Sequence, residues 1–129
     1  NVSPKEIFAA FDSQHIVVAN IASPTSERNI EVSSRVCISF VDIFVQKGFK
    51  VIGTARNIRR SDADFSKWST PLEAMAGAKF PIRSVFVIQA VSVEPIIAPS
   101  YRLYTAETTE KSQVASAMQT YGVQRSSDV

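Results

Sequence analysis

The sequence has little of the chemistry that metal sites and disulfides need: one cysteine and one histidine in 129 residues. Cys37 cannot form an internal disulfide, and the apolar strand pattern around it indicates a small core residue rather than a nucleophile. His15, without a cysteine pair, does not supply a zinc ligand set, so we predict no metal site. At the mouth of a hairpin, His15 is more typical of a solvated residue than of a catalyst. No catalytic residue can be named from these side chains.

Long apolar runs and strong charge are also missing. No stretch reaches the length of a membrane span and no signal peptide is visible, so we expect no membrane partner and a cytoplasmic location. The formal net charge is only +2, and the basic residues are scattered apart from Arg56, Arg59 and Arg60. We read that trio as a solvated strand end and predict no nucleic-acid partner.

The remaining composition is that of a folded globular chain, with 45% hydrophobic and 20% charged residues. This length suits one domain covering residues 1–129. Runs of β-branched and aromatic residues predict strands, and 3.6-residue periodicity predicts helices. The predicted strands are 5–10, 15–21, 35–45, 49–58 and 83–95, with helices after residue 23, within 62–77 and over 109–121. Hairpins without a βαβ rhythm favour an α+β fold, mainly β: an antiparallel barrel with peripheral helices.

Several local details are predicted more finely. The strand over 35–45 should bury at least one face, and both faces of Val85–Ile88 are apolar, which predicts a strand that is central in the sheet or buried under a partner. Gly48 should take a positive φ in a turn, and Gly53 should mark a bulge or a close backbone approach. The stretch 62–77 should form two short helices with a break near residues 69–70, where a capping box precedes Pro71. Residues 101–104 should be extended.

The stretch from Gln14 to Ile30 carries the main functional signal. An apolar strand ends at Ala22, and a helix restarts with Ser23 suited to the N-cap and Pro24 to the first helical position. A helix start offers unpaired N–H groups and partial positive charge to an anion. The hydroxyl and guanidinium side chains that follow favour phosphate as the bound anion; they are Ser23, Thr25, Ser26 and Arg28. The alternative is an ordinary capped surface helix with a solvated Arg28.

At this point the sequence resembles a known family, the FMN-binding split barrels related to pyridoxamine 5′-phosphate oxidase. The resemblance spans nearly the whole chain in order and spacing. The segments that carry it are residues 1–5, 19–21, 23–30, 35–36 and 46–50.

The resemblance implies a Greek-key split barrel that works as a homodimer and binds FMN at the subunit interface. It implies that residues 23–29, including Asn29, hold the phosphate. Residues 19–21 would run along the flavin ring with residues 3–5 beside it, and the turn at 46–47 would reach the flavin of the other subunit. The implied cofactor-binding residues are therefore Ser3, Pro4, Lys5, Ala19, Asn20, Ile21, Ser23, Thr25, Ser26, Arg28, Asn29, Gln46 and Lys47.

Two departures limit the implied activity. The family's first strand is expected before Asn1 and is not in this sequence. The pyridoxamine 5′-phosphate oxidases also carry a C-terminal Arg and His pair, and this chain has no histidine after His15. We therefore expect a more general flavin-dependent oxidoreductase acting on an unknown small molecule, with Lys5 or Lys47 near the ring stabilising reduced flavin. The alternatives are a non-catalytic flavin, deazaflavin or tetrapyrrole binding protein and a cofactor-free assembly scaffold.

Overall fold

The structure, a computed structural model, describes residues 1–126. Its strands are β1 (Phe8–Ala10), β2 (His15–Asn20), β3 (Arg35–Asp42), β4 (Lys47–Arg59) and β5 (Ser84–Ile97). Its helices are α1 (Pro24–Val32), α2 (Phe65–Ala76), α3 (Ser100–Leu103) and α4 (Glu110–Tyr121), and a 3₁₀ turn follows α2. No helix in the described range has the combined length and apolar character to cross a membrane.

The five strands form one antiparallel sheet in the order β1-β2-β5-β4-β3. β1 and β2 form the expected hairpin, and β5 returns to lie beside β2, where Val17 faces Val87 and Ala19 faces Val85. β3, β4 and β5 are neighbours in the sheet, and β2 lies beside β5. This order is that of a Greek key. The predicted α+β fold with an antiparallel sheet is therefore confirmed.

The centre of the sheet follows from the longest apolar run. Val85–Ile88 is buried on both faces, as predicted, and β5 lies in the middle of the sheet with β2 on one side and β4 on the other. Gly53 on β4 is the predicted close approach: a Cβ there would lie 2.3 Å from the carbonyl oxygen of Gln89. Glycine is therefore required where β4 passes β5.

The chain divides into two compact units. The first contains residues 1–37 and 51–92 and holds the hydrophobic core beneath α2. Leu72 and Val17 are fully buried there, and Trp68 packs against the Phe11 ring with centroids 4.5 Å apart. Trp68 also donates its indole N–H to Asp64 over 3.0 Å, and it is a buried member of this core.

The second unit contains residues 38–50 and the chain from residue 93 onward. Within its described part, Ala117 is the one buried side chain. Many large apolar side chains of this unit lie on the surface: Phe40, Val41, Ile43, Phe49, Val93, Ile97, Leu103, Tyr104, Tyr121 and Val123. The prediction of a single domain over 1–129 stays a prediction.

The interpretation of β3 and Cys37 was wrong. No residue of β3 is buried, and Cys37 is exposed rather than part of the core. β3 lies at the edge of the sheet, so the apolar alternation that normally marks a buried face is here on the surface. Asp42 at its end is solvated, and its carboxylate accepts the backbone N–H of Phe44 over 2.8 Å.

The break predicted near residues 69–70 is absent, because α2 runs continuously through Pro71. Proline at position 71 removes the helical hydrogen bond to the Lys67 carbonyl. Burial of Phe65, Trp68 and Leu72 on one side of the helix offsets that cost. Tertiary packing therefore overrides the local capping-box signal.

Two turn predictions also need correction. Gln46, not Gly48, takes the positive φ of 57°. Gly48 is needed for another reason, because a Cβ there would lie 1.8 Å from the carbonyl oxygen of Phe40. Residues 100–103 form α3 instead of an extended segment. The last helix is as expected, with Thr109 in a capping box and Gly122 ending it at a φ of 64°.

Candidate functional site

A pocket of about 300 Å³ lies in the first unit, where the N-terminal segment meets the start of α1. Its walls come from two short stretches of chain that carry hydroxyl groups. The lining residues are Asn1, Val2, Ser3, Ala22, Ser23, Pro24, Thr25 and Ser26. Because the start of α1 has first-turn N–H groups without helical partners, this end of the pocket favours an anion.

Lys5 is the cation closest to this pocket's hydroxyls. Its ammonium donates to Ser3 Oγ over 2.5 Å and to Ser23 Oγ over 2.6 Å. Both acceptors are neutral, and burial lowers the pKa of Lys5 below its usual value of 10.5. Partial loss of water without a carboxylate partner disfavours the charged form. A bound anion would reverse that effect.

Ser23 occupies the N-cap position of α1, as predicted, but its side chain does not cap the helix. The hydroxyl instead accepts from Lys5, and the backbone carbonyl accepts from the Glu27 N–H over 3.0 Å. Pro24 follows at the first helical position and has no N–H to satisfy. The first-turn donors of α1 are therefore left to water or a ligand.

Asn20 fixes the chain that leads into α1. Its side chain is fully buried and makes a hydrogen bond with each polar atom. The amide nitrogen donates to Ser84 Oγ over 2.8 Å and to Glu27 Oε2 over 3.1 Å, while the amide oxygen accepts from the Ser23 backbone N–H over 3.1 Å. Arg83 lies 3.6 Å from the same Glu27 carboxylate. This network ties β2, β5 and α1 together beneath the pocket.

Asn1 joins the N-terminal segment to the first turns of α1. It donates its side-chain amide to Ser26 Oγ over 2.9 Å and accepts from Asn29 Nδ2 over 2.7 Å. Ser26 lines the pocket, whereas Asn29 reaches it only through Asn1. These contacts orient the Ser26 hydroxyl at the edge of the pocket.

Arg28 is less closely placed than its position in the sequence suggested. Its side chain is exposed and its guanidinium lies 3.4 Å from Thr25 Oγ1. Thr25 lines the pocket but Arg28 does not. An exposed arginine can still turn towards an anion, but Lys5 is already positioned among the hydroxyls.

The other candidates from the first unit support the site rather than line it. Ala19 is buried in the hydrophobic core, and its backbone N–H donates to the Ile7 carbonyl over 2.9 Å. Ile21 packs against the same core, and Pro4 is exposed between Ser3 and Lys5.

Gln46 and Lys47 belong to the second unit. The backbone of Gln46 pairs with Asp42 and Ala98, which holds its positive φ. The Lys47 ammonium forms an ion pair with Glu110 at 3.0 Å and lies 4.5 Å from the centre of the Tyr101 ring. Tyr101 donates its hydroxyl to the Val45 carbonyl over 2.7 Å. Lys47 is therefore held in a defined position beside an aromatic ring.

Four residues of the pocket wall were not among the sequence candidates: Asn1, Val2, Ala22 and Pro24. Ala22 and Pro24 flank Ser23 and could have been inferred from the turn itself. Asn1 stands beside Ser3 in a polar segment, but its contact with Ser26 spans 25 residues. No local pattern in the sequence encodes that contact.

Comparison with known proteins adds information about the fold. No family model matches the sequence, and no curated protein matches it significantly. Among solved structures, HupZ from Group A Streptococcus matches with a TM-score of 0.60 and 20% identity over 72% of this chain and 71% of that one. A variant of HupZ in which one histidine is replaced by alanine matches with a TM-score of 0.63, also at 20% identity, over 74% and 78% of the two chains.

Two further structures carry chemical descriptions. A candidate pyridoxamine 5′-phosphate oxidase from Lactobacillus delbrueckii matches with a TM-score of 0.57 and 21% identity over 71% of this chain and 70% of that one. An FMN-binding protein from Syntrophomonas wolfei matches with a TM-score of 0.59 and 14% identity over 76% and 69% of the two chains. Together with the antiparallel sheet and its Greek-key order, these likenesses show that this chain has the fold of the FMN-binding split barrels.

Proposed function

We propose that this protein binds FMN, with the cofactor phosphate in the pocket at the start of α1. The observation that carries the proposal is the Lys5 ammonium, held between the Ser3 and Ser23 hydroxyls beside that pocket. The likeness to a solved FMN-binding protein agrees with it. A split-barrel fold alone would not suffice, because one fold hosts many functions.

The donor set fits a phosphate. Hydroxyls of Ser3, Ser23, Thr25 and Ser26 line the pocket, and the first turn of α1 supplies backbone N–H groups. Lys5 provides positive charge, and Arg28 can add a second cation from the surface. Asn20 contributes indirectly, because its amide oxygen fixes the Ser23 backbone. Phosphate oxygens accept hydrogen bonds only, so this group of donors complements them.

We further propose that the protein is a flavin-dependent oxidoreductase acting on a small molecule. When bound, FMN supplies the electron-transfer chemistry of its isoalloxazine ring. The residues of this chain bind the phosphate, orient the cofactor and exclude water from its anchor. Lys47 lies beside Tyr101 and is ion-paired with Glu110, and its charge would favour reduced, anionic flavin if it turned from Glu110 to the ring.

A homodimer is part of the same proposal, with the cofactor at the subunit interface. The apolar run Val85–Ile88 is not an argument for a dimer, because its side chains are already buried within one chain. The exposed apolar side chains of the second unit are the better argument, because a patch of this kind marks an association surface. A twofold interface would bury the same patch on both subunits.

The flavin proposal is tested with purified protein. We expect FMN to bind with a resolved flavin spectrum, and riboflavin to bind more weakly because it lacks the phosphate. Anaerobic mixing with NADH or NADPH should bleach the bound flavin, and an added acceptor should restore it. Absence of flavin binding would refute the proposal. Binding without reduction by either nucleotide would favour the non-catalytic alternative.

The dimer is tested by sedimentation of the wild-type chain and a Phe49→Lys variant. Phe49 is 47% exposed and its ring lies 6.0 Å from that of Phe40. We expect a dimer at micromolar concentration, weakened at least about tenfold by a buried lysine. Lys111→Ala, at an exposed polar position of α4, is the control and should remain dimeric. A stable wild-type monomer at the same concentration would contradict the proposal.

A further inference from the structure

A second pocket lies in the first unit, at the other end of α1. It measures about 340 Å³ and is bounded by the last turns of α1, the end of β4 and the turn that follows. Its lining residues are Ile30, Glu31, Ala55, Arg56, Asn57, Arg59 and Asp62. It shares no residue with the pocket proposed for phosphate, and α1, with nine residues, places about 13 Å between its two ends.

Asn57 is the unusual residue in this wall. Both polar atoms of its side-chain amide are buried, and neither has a hydrogen-bond partner within residues 1–126. Asn20 shows the usual arrangement, a buried amide whose oxygen and nitrogen are both hydrogen-bonded. An unpaired buried amide is costly and therefore requires an explanation. A ligand in the pocket can reach the Asn57 amide only if the amide turns about its χ2 torsion, which is soft.

The charges of this pocket are largely balanced by one another. Arg59 forms an ion pair with Glu31, and this contact raises the pKa of the Arg59 guanidinium. Asp62 accepts the Arg59 backbone N–H over 2.7 Å. Arg56 is exposed, with its guanidinium 5.9 Å from the centre of the Trp68 ring. The pocket thus disfavours a multiply charged ligand such as phosphate and suits an uncharged polar one.

An asparagine amide presents a donor beside an acceptor, and it pairs best with the complementary edge of a planar group. Such pairing is how asparagine recognises adenine. The pocket volume is in the range of small-molecule sites, and an arginine at the wall can stack on a planar ring. We propose that this second pocket binds a nucleobase-like ligand, a small planar ring with adjacent donor and acceptor, through the Asn57 amide.

This site goes beyond the proposed flavin function and does not depend on it. The test is a titration of the full chain with adenine and with uracil, monitored by NMR at the Asn57 side-chain amide. We expect at least one base to produce saturable shifts around Asn57 and Arg56 and not around Ser23–Ser26. The control ligands N6,N6,9-trimethyladenine and 1,3-dimethyluracil have no N–H donor, so each should bind at least tenfold more weakly than adenine or uracil, respectively.

The variants separate recognition from folding. Asn57→Leu should lose at least tenfold in affinity, detected through the Arg56 resonances, while Thr54→Val on the exposed side of β4 should bind as the wild type does. If Asn57→Leu fails to fold, Asn57→Asp keeps the size and loses the amide donor, and the same loss is expected. The proposal is overturned if neither base shifts the Asn57 amide, as when water alone satisfies it. Equal affinity in the wild type and in a folded Asn57 variant would also overturn it.

Discussion

Replacing Lys5 with methionine is the most direct test of the phosphate site. Methionine keeps the length and most of the apolar stem but removes the ammonium that donates to Ser3 and Ser23. Both serines are neutral, so no buried charge is left unpaired by the change. We therefore expect Lys5→Met to fold normally and to bind FMN more weakly than the wild type.

The size of the effect follows from the lost contact. A hydrogen bond to a charged group contributes about 1.5–3 kcal/mol, so losing the Lys5 contact should weaken FMN binding about ten- to a hundredfold. Arg28→Ala should cost less, because Arg28 is exposed and its guanidinium lies 3.4 Å from the Thr25 hydroxyl, whereas the Lys5 ammonium contacts the Ser3 and Ser23 hydroxyls over 2.5 and 2.6 Å. Ser26→Ala removes a neutral donor and should cost about 1 kcal/mol.

Riboflavin is the matched control ligand, since it shares the ring and lacks the phosphate. Calorimetric or fluorescence titration should show that Lys5→Met weakens FMN binding and hardly changes riboflavin binding. An equal loss for both ligands would mean that Lys5 acts on the ring or the fold. If Arg28→Ala proved more damaging to FMN than Lys5→Met, the phosphate would be held mainly by Arg28.

Four further outcomes can be measured. FMN affinity should fall as pH rises through the pKa of Lys5, which burial places below 10.5, and Lys5→Met should lack this step. In the protein without FMN, the free energy of unfolding should change with pH in the opposite direction. The unfolded chain keeps the Lys5 proton to higher pH than the folded chain does, so the free energy of unfolding should rise with pH between the lowered pKa and 10.5, as urea titrations would show. Asn20→Leu removes the hydrogen bonds to Ser84 Oγ, Glu27 Oε2 and the Ser23 N–H, and its free energy of unfolding should fall by about 2–3 kcal/mol, whereas an unchanged midpoint would contradict the network. Gly53→Ala places a Cβ 2.3 Å from the Gln89 carbonyl and should destabilise by about 1–3 kcal/mol, with Thr54→Ala as the milder control.

The fold could be predicted from sequence where burial on both faces leaves a continuous apolar run. Val85–Ile88 is such a run, and it occupies the centre of the sheet. Apolar residues on β3 gave a similar local signal but lie on the surface. The two strands differ in what covers their apolar faces. A sequence shows that a face is apolar, but not whether the same chain or another one covers it. Cys37 was misplaced for this reason.

Helix boundaries show the same limit at shorter range. Pro24 and Gly122 mark the start of α1 and the end of α4, where backbone geometry alone decides. Pro71 carries an equally strong local signal but lies inside α2, because the buried face of Phe65, Trp68 and Leu72 continues across it. A local capping signal therefore predicts a helix end only where the burial of apolar side chains does not favour continuing the helix.

The candidate site was predictable in its location and less so in its chemistry. The hydroxyl cluster after Ala22 is local in sequence, and it does line a pocket. The cation of the site could not be predicted from local sequence. The contact between Lys5 and Ser23 spans 18 residues and depends on where the N-terminal segment lies relative to α1. Sequence spacing instead favoured Arg28, the nearest basic residue along the chain.

The Ser23 side chain decides between the two interpretations of the start of α1. An ordinary capped surface helix would have its N-cap hydroxyl bonded to a first-turn N–H, which satisfies the helix and leaves nothing for an anion. Here that hydroxyl accepts from the Lys5 ammonium instead, so the Ser23 side chain leaves the first turn of α1 uncapped and brings a cation to the helix start. The cap of α4 shows the contrast, because Thr109 Oγ1 accepts the Ser112 N–H and no cation is involved. Of the two helix starts, the start of α1 therefore has the donors that a phosphate needs.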